Sequence, residues 1–164
     1  MNEVIETYFS QYLDAVRTCD GEVTEFLGDG LLALFERADV QHSVSAAVNA
    51  TERIRDVMVS LNQGRSQLHD PIVLHIGLNA GPALTGLVKL SGKTGERWFY
   101  AANGPVTNIA ARLCAVATDG QALTTSAVAA LMSARYAFAS LGPQHFKNVS
   151  KPVDVVQFGL LVSE

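Results

Sequence analysis

Cysteine is scarce in this chain: Cys19 and Cys114 are the only two, far apart and without metal-like spacing. Both are read as reduced, buried thiols, which places the chain in the cytoplasm. Positive charge is in deficit as well, with 12 Lys and Arg against 16 Asp and Glu. A net charge of −4 offers no basic field for gripping a phosphate backbone, so no nucleic-acid partner is expected. No apolar run approaches the roughly 18 residues of a membrane helix. The opening MNEVIE is too acidic for a signal peptide, so no membrane contact by this segment is expected. His42, His69, His75 and His145 form no H-E-x-x-H pair, and no serine sits in a G-x-S-x-G elbow. Metal binding on histidine and nucleophilic catalysis therefore find no support. The stretch SGKTG at 91–95 resembles a phosphate loop only superficially, because its glycines are wrongly spaced and a strand rather than a helix follows.

What is present is apolar residue in quantity: 48% of 164 residues, against 17% charged. That suits one domain, residues 1–164, with a sizeable core. Val4, Ile5, Tyr8, Phe9, Tyr12, Leu13 and Val16 recur at helical spacing, and Asp20-Gly21 supplies a positive-φ stop. Residues 22–27 and 31–35 read as a hairpin. Val40, Val44, Ala47, Val48, Ile54, Val57, Met58 and Leu61 then line one face of a long helix, closed by a polar turn at 62–70. Residues 72–79, 83–88 and 97–102 read as strands. A helix over 106–117 follows, with Pro105 where its missing N–H costs nothing. Strands at 121–124, 136–141 and 153–161 and a short helix from Ser126 complete the chain. Interleaved helices and strands predict an α+β sandwich, a largely antiparallel sheet with helices packed on one face.

Two places carry chemistry. In EFLGDGLLALF, residues 25–35, Asp29 sits in a glycine-flanked turn between two apolar runs. Gly-Asp-Gly is an ordinary hairpin signal, and it is equally a place where a carboxylate can hold Mg²⁺, which takes one or two oxygens from protein and the rest from phosphate and water. Asn108 and Arg112, four apart, fall side by side on one helical face. They suit a solvated surface pair, or an amide and a planar cation directed at phosphate.

Taken together, these segments resemble the catalytic domain of class III nucleotidyl cyclases, which close ATP or GTP into a 3′,5′-cyclic nucleotide. EFLGDGLLALF resembles that family's metal-binding hairpin, HIGLNAG at 75–81 with Gly86 its next strand pair, GPVTNIAARL at 104–113 its G-D-x-V-N-x-A-x-R-L helix, and FKNVSKPV at 146–153 its closing segment. The resemblance implies a ferredoxin-like, palm-type core. It implies that Asp29 is a metal ligand for Mg²⁺ or Mn²⁺ and that Asn108 orients the ribose. Arg112 would neutralise charge developing at the α-phosphate, Lys147 would meet the polyphosphate, and Glu25 and Ala101 would fall at the base-reading positions. It also implies a nucleoside triphosphate substrate and a site assembled across a dimer.

The departures shape the expectation further. The family's first strand, bearing its first metal aspartate, has no counterpart here, so little turnover is expected from one carboxylate. Either a homodimer or an assembly completed by a partner's strand is expected to close the sheet. Pro105 and Thr107 replace the family's Asp and Val. Glu25 accepts from guanine N1–H and N2–H, whereas Ala101 reads neither base. A non-catalytic nucleotide-sensing or dimerisation module is the alternative. A diguanylate cyclase is disfavoured because LGDGL lacks the second acid of its hairpin.

Overall fold

The computed structural model describes residues 3–64, 70–92, 95–132, 134 and 136–160. The centre of the polar turn, residues 65–69 with His69, lies outside the described residues, as do Lys93 and Thr94 of the SGKTG stretch, Leu161 and the side chains of Val4 and Ile5. Helix α1 (Glu3–Thr18) forms on the expected periodicity and buries Tyr8, Tyr12, Ala15 and Val16. Its stop differs from the expected use of glycine. Asp20 takes the left-handed conformation at φ 56°, while Gly21 is required for space, since a Cβ there would stand 2.4 Å from the Phe35 ring.

Strands β1 (Glu22–Leu27) and β2 (Gly30–Leu34) make the hairpin, joined by Gly28 and Asp29 alone, because Leu27 pairs with Gly30. Gly28 at φ 68° supplies the positive φ that a two-residue turn needs at its first central position. Helix α2 (Val40–Gln63) starts at Asp39, whose carboxylate accepts the His42 N–H at 2.8 Å, and buries Val44, Val48, Ala50, Thr51 and Met58. Tyr8, Tyr12 and Met58 join α1 to α2, with Leu31 of β2 and Ile72 and Leu74 packed against them.

The largest sheet has the order β3 (Ile76–Gly77), β6 (Ala122–Thr125), β8 (Val153–Leu160), β7 (Tyr136–Gln144). Only β3 with β6 is parallel; β6 with β8 and β7 with β8 are antiparallel, as expected of most pairings. Strands β4 (Leu84–Gly92) and β5 (Gly95–Asn103) form a separate nine-pair antiparallel ribbon. Helix α2 and the short α4 (Ser126–Ala129) cover one face through Val44, Val48 and Val128, which cluster with Ala122 and Phe158. Helix α3 (Pro105–Val116) takes the other, with Leu113 against Leu123 and Val155. The layering thus extends the one-face expectation. All four residues of β6 are buried, and a strand buried on both sides needs a layer on each.

β3 is shorter than the 72–79 reading. The Asn62 amide captures the Ile72 backbone instead, donating to its carbonyl at 2.9 Å and accepting its N–H at 3.0 Å, so the approach to β3 is tied to α2 rather than to a ladder. Among the described residues β2 pairs only with β1, and β3 only with β6.

Candidate active site

Helix α3 is built to sit close. Gly77 on β3 has no side chain because a Cβ would meet the Ala110 carbonyl at 2.1 Å and the Cys114 nitrogen at 2.4 Å, so helix backbone rests on strand backbone. Gly104 caps the start at φ 149°, Pro105 occupies the first turn, and the Thr107 hydroxyl donates to the Gly104 carbonyl at 2.9 Å. The Asn79 amide donates to the Val106 carbonyl at 3.2 Å and fixes the helix from the β3 side. With Ala110 and Cys114 turned to β3 and Leu113 wholly buried, the 3.6-residue period turns Asn108 and Arg112 outward, and both are exposed.

Asp29 stands exposed at the hairpin tip. Burial raises the Cys114 thiol above its ordinary pKa, and the Asp29 charge adds to that rise, so the tip lies within electrostatic reach of α3. No ion pair joins Asp29 to Arg112 among the described residues. Neither Arg112 nor Lys147 has an ion-pair partner among them. Lys147 is exposed beside the buried Phe146, in a turn where Asn148 takes φ 66°.

Glu25 is half-buried on β1, and Ala101 is buried on β5, the strand that β1 contacts. The fold therefore brings the strands of Glu25 and Ala101 together, and Asn108 and Arg112 onto one face, while Lys147 comes from a separate loop. An open hollow of about 390 Å³ lies elsewhere, at the hairpin root between Asp20, Glu22, Leu34, Glu36 and Tyr100. Here the Arg37 guanidinium pairs with Asp20 at 3.3 Å and the Tyr100 hydroxyl donates to Glu36 at 3.2 Å. None of these residues stood out in the sequence. One signal was available: Val23 and Glu25 are two apart, so a regular strand would put an apolar and an acidic side chain on the same face.

No group of three or more His, Cys, Asp or Glu is arranged to hold a metal ion among the described residues. As one exposed carboxylate, Asp29 could supply a cation with one or two oxygens, and the rest of the shell would have to come from other groups.

An α+β fold with an outward Asn–Arg helix and a carboxylate at a hairpin tip is the arrangement that the sequence resemblance to nucleotidyl cyclases implies. The family model described as the adenylate and guanylate cyclase catalytic domain matches residues 1–159, and the chain belongs to that family. Adenylate cyclase 1 of Rhizobium meliloti (strain 1021) is 26% identical over 159 residues, 94% of this chain. The match covers only 23% of that protein's length. Among solved structures, the adenylyl cyclase CyaB from P. aeruginosa is similar at TM-score 0.83 and 22% identity, covering 99% of this chain and 82% of its own. The guanylyl cyclase Cya2 is similar at TM-score 0.79 and 24% identity, covering 96% and 80%. The palm-type fold is thereby established. No helix among the described residues is long and apolar enough to cross a membrane.

Proposed function

We propose that this chain is a nucleotidyl cyclase domain, converting a nucleoside triphosphate into a 3′,5′-cyclic nucleotide and pyrophosphate in cytoplasmic signalling. The observation that carries the reading is the exposed Asn108–Arg112 face, whose guanidinium has no ion-pair partner among the described residues. A fixed planar cation in that state is free to meet phosphate. Asn108 would orient the ribose so that its 3′-hydroxyl lines up with the α-phosphorus. Arg112 would stabilise charge gathering on the α-phosphate as the new ester bond forms, and Lys147 would hold the departing pyrophosphate. Glu25 would accept from the base edge, with a lean toward guanine. Cyclases of this family are generally metal-dependent. Mg²⁺ or Mn²⁺, held by Asp29 together with the phosphates, would lower the pKa of the 3′-hydroxyl and offset phosphate charge.

A homodimer is the assembly this reading needs, and the β4–β5 ribbon supports it. Leu87 and Trp98 share one of its faces and Leu84 and Leu90 the other, all more than half exposed, so each face presents apolar surface that a second copy could cover. The edges of β2 and β3, unpaired among the described residues, support sheet completion by a partner's strand as the other route.

The second reading, a nucleotide-sensing or dimerisation module, keeps the exposed Asn108–Arg112 face and needs no chemistry at Asp29. Steady-state assay with GTP and ATP in Mg²⁺ and in Mn²⁺, beside a nucleotide-binding titration, decides. Slow turnover that Arg112→Ala abolishes supports the cyclase. Binding without turnover supports the module, and the absence of both overturns the nucleotide site itself.

A further inference from the structure

Helix α3 lies on the segment around β3 in a fixed register. The Ile76 N–H donates to the Gln121 carbonyl at 3.0 Å and the Leu78 N–H to the Leu123 carbonyl at 2.8 Å, so β6 holds the segment extended as far as Leu78. The wholly buried Thr124 hydroxyl donates to the Leu78 carbonyl at 2.9 Å and fixes it further. Residues two apart in an extended chain share a face, and His75, Gly77 and Asn79 all meet α3. The Cys114 thiol donates to the His75 carbonyl at 3.4 Å, the helix backbone at Ala110 and Cys114 covers Gly77, and the Asn79 amide donates to the Val106 carbonyl at 3.2 Å.

The spacings match. Val106, Ala110 and Cys114 recur every four residues, about 6 Å along a helix, and their counterparts recur every two, about 6.6 Å along a strand. Asn108 and Arg112, two positions on from Val106 and Ala110, are turned about 200° away from this contact. The register against the strand therefore sets where both side chains point. A slip of one residue would move them about 1.5 Å along the helix axis and turn them about 100°.

What resists such a slip differs along the helix. Leu113 and Ala117 are buried with Leu123, Phe146 and Val155 and anchor the C-terminal half. Val106 and Thr107 are half-buried and join no core cluster among the described residues. At the middle contact Gly77 has no side chain and Ala110 only a methyl, so nothing interlocks there. The Thr107 hydroxyl bonds within its own turn, to Gly104. Among the described residues, the Asn79 amide thus makes the side-chain hydrogen bond that ties the first turn of α3 to the sheet.

We propose that Asn79 is a positioning residue of the nucleotide site: its bond to the Val106 carbonyl sets the place and rotation of the first turn of α3 and so aims Asn108 and Arg112 at ribose and phosphate. This rests on the nucleotide site argued above and deepens it. Asn79 acts through the helix and does not touch the nucleotide.

The test is calorimetric titration of the 164-residue chain with non-hydrolysable GTP and ATP analogues in Mn²⁺. Asn79→Leu keeps the volume and removes the donor, and it should weaken binding of the preferred analogue about fivefold, the loss of one ordinary hydrogen bond. Asn79→Ser, whose hydroxyl is too short to reach Val106, should do the same. Asn79→His, whose ring N–H stands about where the amide N–H does, should bind within about twofold of the unaltered chain. Val128→Ala, beneath α4 on the opposite face of the sheet, is the control for stability alone: it should lower Tm and leave binding unchanged. Binding by Asn79→Leu and Asn79→Ser as tight as that of the unaltered chain overturns the proposal and leaves the nucleotide site standing, as does equal weakening in Val128→Ala. Failure of the unaltered chain to bind either analogue overturns both.

Discussion

Gly77 and Tyr12 show how single atoms set this architecture. The α3 backbone occupies the space a Cβ at residue 77 would need, and neither contacting atom belongs to a movable side chain. Gly77→Ala should therefore destabilise the protein by about 1–3 kcal/mol, the usual cost of overpacking, measured by urea unfolding. It should weaken nucleotide binding too, since α3 carries Asn108 and Arg112. Tyr12 is buried, and its hydroxyl donates to the Met58 sulfur at 3.7 Å. Burial, with the neighbouring Tyr8 adding to it, pushes its phenol up to about 12. The folded state thus keeps this proton after the unfolded chain has begun to release it near pH 10. The associated stability is complete below pH 10 and disappears as pH rises through about 12. Tm measured across that window should fall, and Tyr12→Phe should flatten the fall.

Among the elements, α2 depends most visibly on one end. The Asp39 carboxylate accepts the His42 backbone N–H and meets the His42 ring at 2.8 Å, and these bonds hold its pKa below the ordinary value. A depressed carboxyl stabilises above its unfolded pKa, and that contribution is lost as pH falls below about 4. Asp39→Ala should lower Tm by a few degrees at neutral pH and lose its difference from the native chain under acid, whereas Asp39→Asn should keep part of the cap. The hairpin is the opposite case, an element defined at its middle. Its tip places Asp29, and the bulge at Thr24, where the register shifts between Val23 and Glu25, sorts Glu22 and Glu25 from Val23.

At the scale of the molecule, three separate sheets among the described residues share one set of helices. β6 is wholly buried, β8 buries Val155, Val156 and Phe158, and both are paired on both sides, whereas β1–β2 and β4–β5 are two-stranded and pair with nothing else among the described residues. Hydrogen exchange should show slow amides in β6 and β8 and faster exchange in the two ribbons, because local opening needs less apolar surface to be uncovered there. Equal protection throughout would show that a partner covers the ribbons in solution. The ribbon also offers a test of assembly: Leu87→Glu together with Trp98→Glu should shift sedimentation toward the monomer and leave far-ultraviolet circular dichroism unchanged.

The sequence by itself determined the elements and the identity of the chemistry-bearing side chains. Helical periodicity is a local property, so α1, α2 and α3 were legible within a residue or two, and the i, i+4 spacing already put Asn108 beside Arg112. Gly28 and Asp29 announced the hairpin through turn chemistry that involves only neighbouring residues. Tertiary structure decided whatever depends on a partner distant in sequence. A strand exists only where something pairs with it, so β3 is confined to Ile76–Gly77, the residues that β6 pairs, and β6 has a helical layer on each face because both its faces are buried. Gly21 and Gly77 were glycines on the page, but their reason is steric, an aromatic ring and a helix backbone that no local pattern encodes. The bulge at Thr24 was hidden for the same reason: period-2 reading assumes a regular ladder, and the register is set jointly by the hairpin tip and by the packing of Leu31 on the α1 side.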